Sequence, residues 1–153
     1  FFLFEFDFYL EIMSRELTAK ELDKLIDLSI KAKNRAYCPY SNFHVGAVLL
    51  DENGNWHIGA NIENASYGGS ICAERTAFIK AISEGQRKFV ALGVSTDSHK
   101  FSRPCGICRQ FMIEFGEILP IYLIKDDRSY HKVMLKDLLP EYFGPGDLEE
   151  KSD

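Results

Sequence analysis

Cys72 is followed two residues later by Glu74, and Pro104 is followed by Cys105 and Cys108 at C-x-x-C spacing. Two thiolates at that spacing can hold one metal from the first turn of a helix, and Cys72 would supply a third from the start of another. Helix N-termini favour anions, which lowers the cost of keeping thiolates ionised. Three protein ligands leave one tetrahedral position for water, the plan of a catalytic rather than a structural zinc site. Glu74, in the first turn of its helix, is placed to reach over that water without ligating the metal; its plainer role is to favour the helix dipole. Other readings stay open. A redox pair would leave Cys72-Ala73-Glu74 without a role. A closed structural site needs a fourth ligand from Cys38 or a histidine. Cys38, between Tyr37 and Pro39, has no partner spacing of its own and reads as a buried or half-buried thiol. His44, His57, His99 and His131 are scattered, and none has ligand spacing to the cysteines.

These residues need elements to position them. Thr18-Ala19-Lys20-Glu21 reads as a capping box. Leu22, Leu25, Ile26, Ser29, Ala32, Lys33 and Ala36 then follow helical spacing, predicting a helix to about Tyr37. Cys38-Pro39-Tyr40-Ser41-Asn42 breaks it. Phe43 to Leu50 predicts a strand, Asp51-Glu52-Asn53-Gly54 a turn, and Trp56 to Ile62 the returning strand of a hairpin. Asn64 to Ser70 is a polar loop. A second helix starts near Cys72 and ends before Gly85. Phe89 to Thr96 is a buried strand, and a third helix runs from Cys105 to Gly116. Ile121 to Ile124 is a short apolar strand, and Tyr130 to Leu135 is another candidate. Leu138-Leu139-Pro140 and Phe143-Gly144-Pro145-Gly146 close the domain. Strands alternating with helices predict an α/β fold with helices packed on a mixed sheet.

The bulk properties fit one domain. The chain has 153 residues, is 46% hydrophobic and 27% charged, and carries a net charge of -5. Polynucleotide binders present a basic face; no Lys/Arg-rich block appears here, which favours a small substrate. The four cysteines are not spaced as a disulfide framework. Phe1 to Ile12 is acidic and aromatic, lacks a basic start, and is too short to span a bilayer, which takes ~20 apolar residues. It reads as an upstream extension or artefact, with the domain proper at 13–153 and a cytoplasmic location. Its alternating phenylalanines would also suit an extended strand.

His-x-Glu with Pro-Cys-x-x-Cys, or its three-cysteine form, is the signature of zinc deaminases. At these residues the chain resembles the small homotetrameric cytidine deaminases. The resemblance covers about residues 17 to 148. Cys38-Pro39-Tyr40-Ser41-Asn42-Phe43-His44-Val45-Gly46-Ala47 resembles the family's first block, and Asn61-Ile62-Glu63-Asn64-Ala65-Ser66-Tyr67 its second. Ile71-Cys72-Ala73-Glu74-Arg75 and Pro104-Cys105-Gly106-Ile107-Cys108-Arg109-Gln110 are the zinc blocks. One departure is Arg103, where the family more often has a small hydroxyl residue; it sets a cation near the mouth of the site.

The resemblance implies a three-layer α/β/α fold with a mixed sheet of about five strands. It implies hydrolytic deamination of cytidine and deoxycytidine, in pyrimidine salvage, with one Zn2+ per subunit on Cys72, Cys105 and Cys108. Glu74 would move the proton from the water to ring nitrogen 3 and then to the departing amine. Three thiolates around a doubly charged metal leave a net negative charge, which helix dipoles offset in part and Arg75 offsets further by hydrogen bonding to ligand sulfurs. Gln110 is expected to donate similarly. Phe43 would pack on the pyrimidine, Asn61 and Glu63 would hold sugar hydroxyls, and the Ala73 amide would meet the base carbonyl. Ala65, Tyr67 and Phe143 would reach a neighbouring subunit's site in a homotetramer, with no nucleic-acid or membrane partner. Without the resemblance Phe43 reads as core and Asn61/Glu63 as a polar loop cluster. An RNA- or DNA-editing deaminase would carry basic surface and the His-Cys-Cys site. A non-catalytic zinc module would leave Glu74 dispensable. A deaminase of another small amine, such as a nucleoside antibiotic, is the nearer rival.

Overall fold

A computed structural model describes residues 15–149; the Phe1 to Ile12 segment and the Met13 start lie outside the described residues. Helix α1 (Ala19–Ala32) precedes the hairpin β1 (Val45–Asp51) and β2 (Trp56–Ala60). Helix α2 (Ala73–Ser83), strand β3 (Phe89–Thr96), helix α3 (Gly106–Ile113) and strands β4 (Pro120–Ile124) and β5 (Tyr130–Met134) follow. Two one-turn helices, α4 (Leu135–Leu138) and α5 (Gly146–Glu149), end the described chain. The sheet order is β2-β1-β3-β4-β5; β3 and β4 are parallel, and the other pairs are antiparallel.

Period-two alternation divides the side chains between the sheet's two faces. Val48, Ala91, Tyr122 and Ile124 meet Leu25, Ile26 and Ala32 of α1 on one face. Ala47, Leu49, Leu92, Val94, Ile121 and Leu123 meet Ala73, Ala77, Phe78, Cys108 and Met112 of α2 and α3 on the other. This is the expected three-layer α/β/α arrangement with five strands. Covered on both faces, β3 is buried along its whole length and apolar up to Val94, as central strands of such sheets are.

The capping box forms as read: Glu21 N donates to Thr18 Oγ1 (3.1 Å) and Thr18 N donates to Glu21 Oε2 (2.9 Å). Helix α1 is shorter than its periodicity suggests. It ends at Ala32, and Lys33–Arg35 tighten into a 3-10 turn. Tyr37 has already turned extended: its N–H donates to Asn61 O (3.0 Å), and its carbonyl accepts from Glu63 N (2.8 Å). Strand β2 likewise stops at Ala60, short of the expected Ile62, which keeps only isolated bridges to Tyr37 and Ile71. The strand expected from Phe43 begins at Val45, and the third helix stops at Ile113 rather than Gly116.

Two glycines let helices lie on the sheet at backbone distance. A Cβ on Gly46 would stand 2.5 Å from Ser29 O in α1. A Cβ on Gly59 would stand 2.5 Å from Ala77 N in α2 and closer still to Ala73 O. The second contact sets the height of α2, whose first residues carry the chemistry. The far end of α2 is fixed by buried His57. Its Nε2 lies 2.9 Å from Asp51 Oδ2 and its Nδ1 3.0 Å from Glu84 Oε2. This histidine ties the hairpin to the helix, so it serves structure rather than metal.

Candidate metal centre and its cleft

Cys72 and Cys105 are the N-cap residues of α2 and α3, both extended, and neither side chain caps its helix. Their sulfurs are therefore free to face each other across the two helix starts. Cys108, one turn into α3, is buried. The three sulfurs lie within 4.8 Å of one another, and Cys72 Sγ is 3.9 Å from Cys105 Sγ. Zn–S bonds of about 2.3 Å in a tetrahedron place sulfurs about 3.8 Å apart, so the donor set fits zinc with one position left over. Among the described residues these three cysteines form the one such cluster. Cys38 is buried and stands apart from it.

The two ligand-bearing helices are held together by aromatic packing. Phe78 of α2 meets Phe111 of α3 at 6.4 Å and Phe115 just beyond α3 at 5.8 Å. Phe78 also meets Phe89 of β3 at 5.0 Å. Arg109 fixes the approach to Cys105, with Nε donating to Pro104 O (2.7 Å) and a terminal nitrogen donating to Leu138 O (2.9 Å).

The surroundings of Cys72 favour its ionisation. The Cys72 thiol is pushed down to about 5, first by the hydrogen bond from Cys108, then by Arg75 and Cys105, against burial. Cys108 is pushed up because it holds the proton this pair shares, and burial adds to that. Arg75 donates to Cys72 Sγ at 3.6 Å, as the resemblance implies, and its buried Nε has no hydrogen-bond partner among the described residues. Gln110 donates instead to Phe143 O (2.8 Å), tying the C-terminal segment to α3.

Glu74 is 5% exposed. Burial raises its carboxyl to about 7, with Cys72 adding, while its own N–H and Arg75 oppose. Such a carboxyl gives and takes protons near neutral pH. Ala73 is the first residue of α2, where a helix leaves its N–H groups without intrahelical acceptors.

Above these residues opens a cleft of about 330 Å³, lined by Phe43, Asn61, Glu63, Cys72, Ala73 and Glu74 among others. The expected substrate residues therefore converge on the expected metal ligands. Asn61 and Glu63 also brace the opposite wall. Asn61 Nδ2 donates to Phe43 O (2.8 Å) while its Oδ1 accepts from Val45 N (2.9 Å). Ala65 and Tyr67 lie outside that lining and are exposed, as is Phe143. Ser41, Thr96, Ser102 and Arg103 line the cleft and were not singled out as contacts, though Arg103 was expected at its mouth. Alternation along Phe89–Thr96 carries the signal for Thr96, which shares the inward face of Leu92 and Val94.

The family model of the cytidine and deoxycytidylate deaminase zinc-binding region matches residues 19–124. A probable cytidine deaminase of Dictyostelium discoideum is 44% identical over 90% of this chain and 93% of its own length. The cytidine deaminase of Sporosarcina psychrophila is 46% identical over 84% of this chain and 95% of its own. The crystal structure of cytidine deaminase from Burkholderia pseudomallei superposes with a TM-score of 0.78 at 42% identity, covering 83% of this chain and 100% of that one. The three sulfurs, the buried glutamate and these likenesses agree, and the chain belongs to the cytidine and deoxycytidylate deaminase zinc-binding family.

Proposed function

We propose that this chain hydrolyses cytidine and deoxycytidine to uridine and deoxyuridine plus ammonia, as an enzyme of pyrimidine salvage. One observation carries the reading: a buried carboxyl, Glu74, sits two residues from a three-cysteine zinc site at the floor of a nucleoside-sized cleft. Cys72, Cys105 and Cys108 would hold the zinc, which when bound would supply the Lewis acidity that makes a water nucleophilic at neutral pH. Glu74 takes the proton from the attacking water, passes it to ring nitrogen 3, and later delivers a proton to the leaving amine. Arg75 offsets thiolate charge. Phe43 packs on the base, the Ala73 N–H meets its carbonyl, and Asn61 and Glu63 meet sugar hydroxyls.

The working form is a homotetramer in which Ala65, Tyr67 and Phe143 complete a neighbour's cleft. In support, Tyr67 is 76% exposed and Phe143 60%, so neither is buried in its own core. A cytoplasmic location is part of the same reading; among the described residues no helix is long and apolar enough to cross a membrane.

Purified protein is assayed with cytidine and deoxycytidine, with cytidine monophosphate and single-stranded oligonucleotides as controls and zinc quantified alongside. Turnover of the nucleosides with about one zinc per chain is expected. Turnover of oligonucleotides alone, or zinc without any turnover, refutes the reading.

A further inference from the structure

The Tyr40–Val45 segment, which brings Phe43 to the cleft, is held by a hydroxyl that the mechanism leaves unused. Glu63 Oε2 accepts from the backbone N–H groups of Tyr40 (2.9 Å) and Ser41 (3.2 Å). Its other oxygen accepts from Ser41 Oγ in a short hydrogen bond. The same Oγ accepts from Phe43 N at 3.1 Å. One hydroxyl thus joins the carboxylate assigned to the sugar to the backbone of the ring assigned to the base.

Ser41 and Glu63 also line a second cavity of about 340 Å³, bounded by Tyr40, Tyr67 and Ser70. Their mutual bond therefore stands between two spaces. The terminal torsion of a glutamate is broad and weakly restrained. Two backbone N–H groups hold Oε2, and Ser41 Oγ is the side-chain donor on Oε1, so the hydroxyl adds a third restraint on where the carboxylate and its remaining lone pairs point.

We infer that Ser41 is a positioning residue for substrate binding, orienting Glu63 and Phe43 together for one nucleoside. The inference rests on the nucleoside reading above. Losing the hydroxyl removes one of the three bonds on the Glu63 carboxylate and the acceptor of Phe43 N–H, which loosens both groups, weakens binding and leaves the zinc and Glu74 untouched.

Kinetics of Ser41→Ala, Glu63→Gln and the double variant test this, with zinc content and unfolding midpoint measured for each. Ser41→Ala is expected to raise KM for cytidine about tenfold with kcat within about threefold, and Ser41→Thr to restore KM. Acting through Glu63, the change should add less than about twofold once Glu63→Gln is present. Should Ser41→Ala fail to fold, Ser41→Cys keeps a weak donor at the same place, and an intermediate KM is expected. A KM within twofold of wild type for Ser41→Ala or Ser41→Cys, or effects that multiply in the double variant, overturns the inference. Wild-type protein inert toward both nucleosides overturns the deaminase reading along with it, and so separates the two failures.

Discussion

Gly59 of β2 lies flush against Ala73 at the start of α2, and no side chain fits between them. A Cβ at position 59 would stand 2.5 Å from Ala77 N and nearer still to Ala73 O. Both neighbours are backbone, so neither yields by changing a rotamer. Gly59→Ala is therefore expected to destabilise the fold by ~1–3 kcal/mol, the range for overpacking. Because Ala73 sits between Cys72 and Glu74, the variant should also hold zinc less tightly. Denaturant unfolding and competition with a chelator check both. Wild-type stability would show that α2 can lift off the sheet without strain.

Glu74→Gln removes the proton carrier and keeps the shape. The fold and zinc should stay, while kcat falls by at least ~10²-fold, since general acid–base steps are each worth ~10²–10⁴-fold. Turnover within tenfold of wild type would remove Glu74 from the chemistry. Zinc content measured on the same preparation excludes loss of metal as the cause.

The difference between these two cases shows what a sequence makes legible. Cys72, Glu74 and the Cys105/Cys108 pair are readable because metal chemistry demands particular residue types at short spacings. The Thr18 capping box is readable because its partners are three residues apart. The contact between Gly59 and Ala73, and the clamp of His57 between Asp51 and Glu84, join distant segments whose local patterns say nothing of each other. Asn61 and Glu63 are instructive in another way. Their polar types suggest a ligand, yet each also binds the Tyr40–Val45 backbone. Helix α1 ends early because Tyr37 pairs with Asn61 and Glu63, a tertiary demand that overrides helical spacing.

Removing the metal or one ligand should have the same signature. Cys72→Ala leaves two thiolates, too few for a tight site, so zinc should be lost and with it activity. Chelation of the wild type should abolish turnover, added zinc should restore it, and the zinc-loaded protein should melt higher because the metal binds the folded state. Stoichiometric zinc in Cys72→Ala would point to other ligands.

Acid stability turns in part on Glu21. The hydrogen bond from Arg15 lowers its carboxyl to about 2, helped by the Thr18 N–H and opposed by burial. In the unfolded chain the group protonates near 4.5. A depressed folded value contributes stability above the unfolded value, and that contribution fades as the pH falls toward 2. Glu21→Gln should thus be less stable than wild type by ~0.5–1 kcal/mol at neutral pH, the range of a partly exposed ion pair. The gap should narrow below pH ~4.5 and close near pH ~2. A gap that persists unchanged to pH ~2 would mean that the Arg15 pair contributes nothing.

Phe143 tests whether one subunit completes another's cleft. Its carbonyl is held by Gln110 at 2.8 Å, while the residue is 60% exposed. Stacking on a base is worth ~1–3 kcal/mol by alanine substitution in nucleic-acid sites, so Phe143→Ala should raise KM about tenfold. The alternative is that the ring serves only its own chain. Mixed assemblies separate the two. An excess of Glu74→Gln subunits, which carry an intact Phe143, is combined with Phe143→Ala subunits, which carry an intact Glu74. A ring supplied by a neighbour predicts that the working sites regain wild-type KM, because each then borrows a phenylalanine from an inert subunit. A mixture that keeps the weak affinity of Phe143→Ala, or a fully active monomer on a sizing column, rules the shared cleft out.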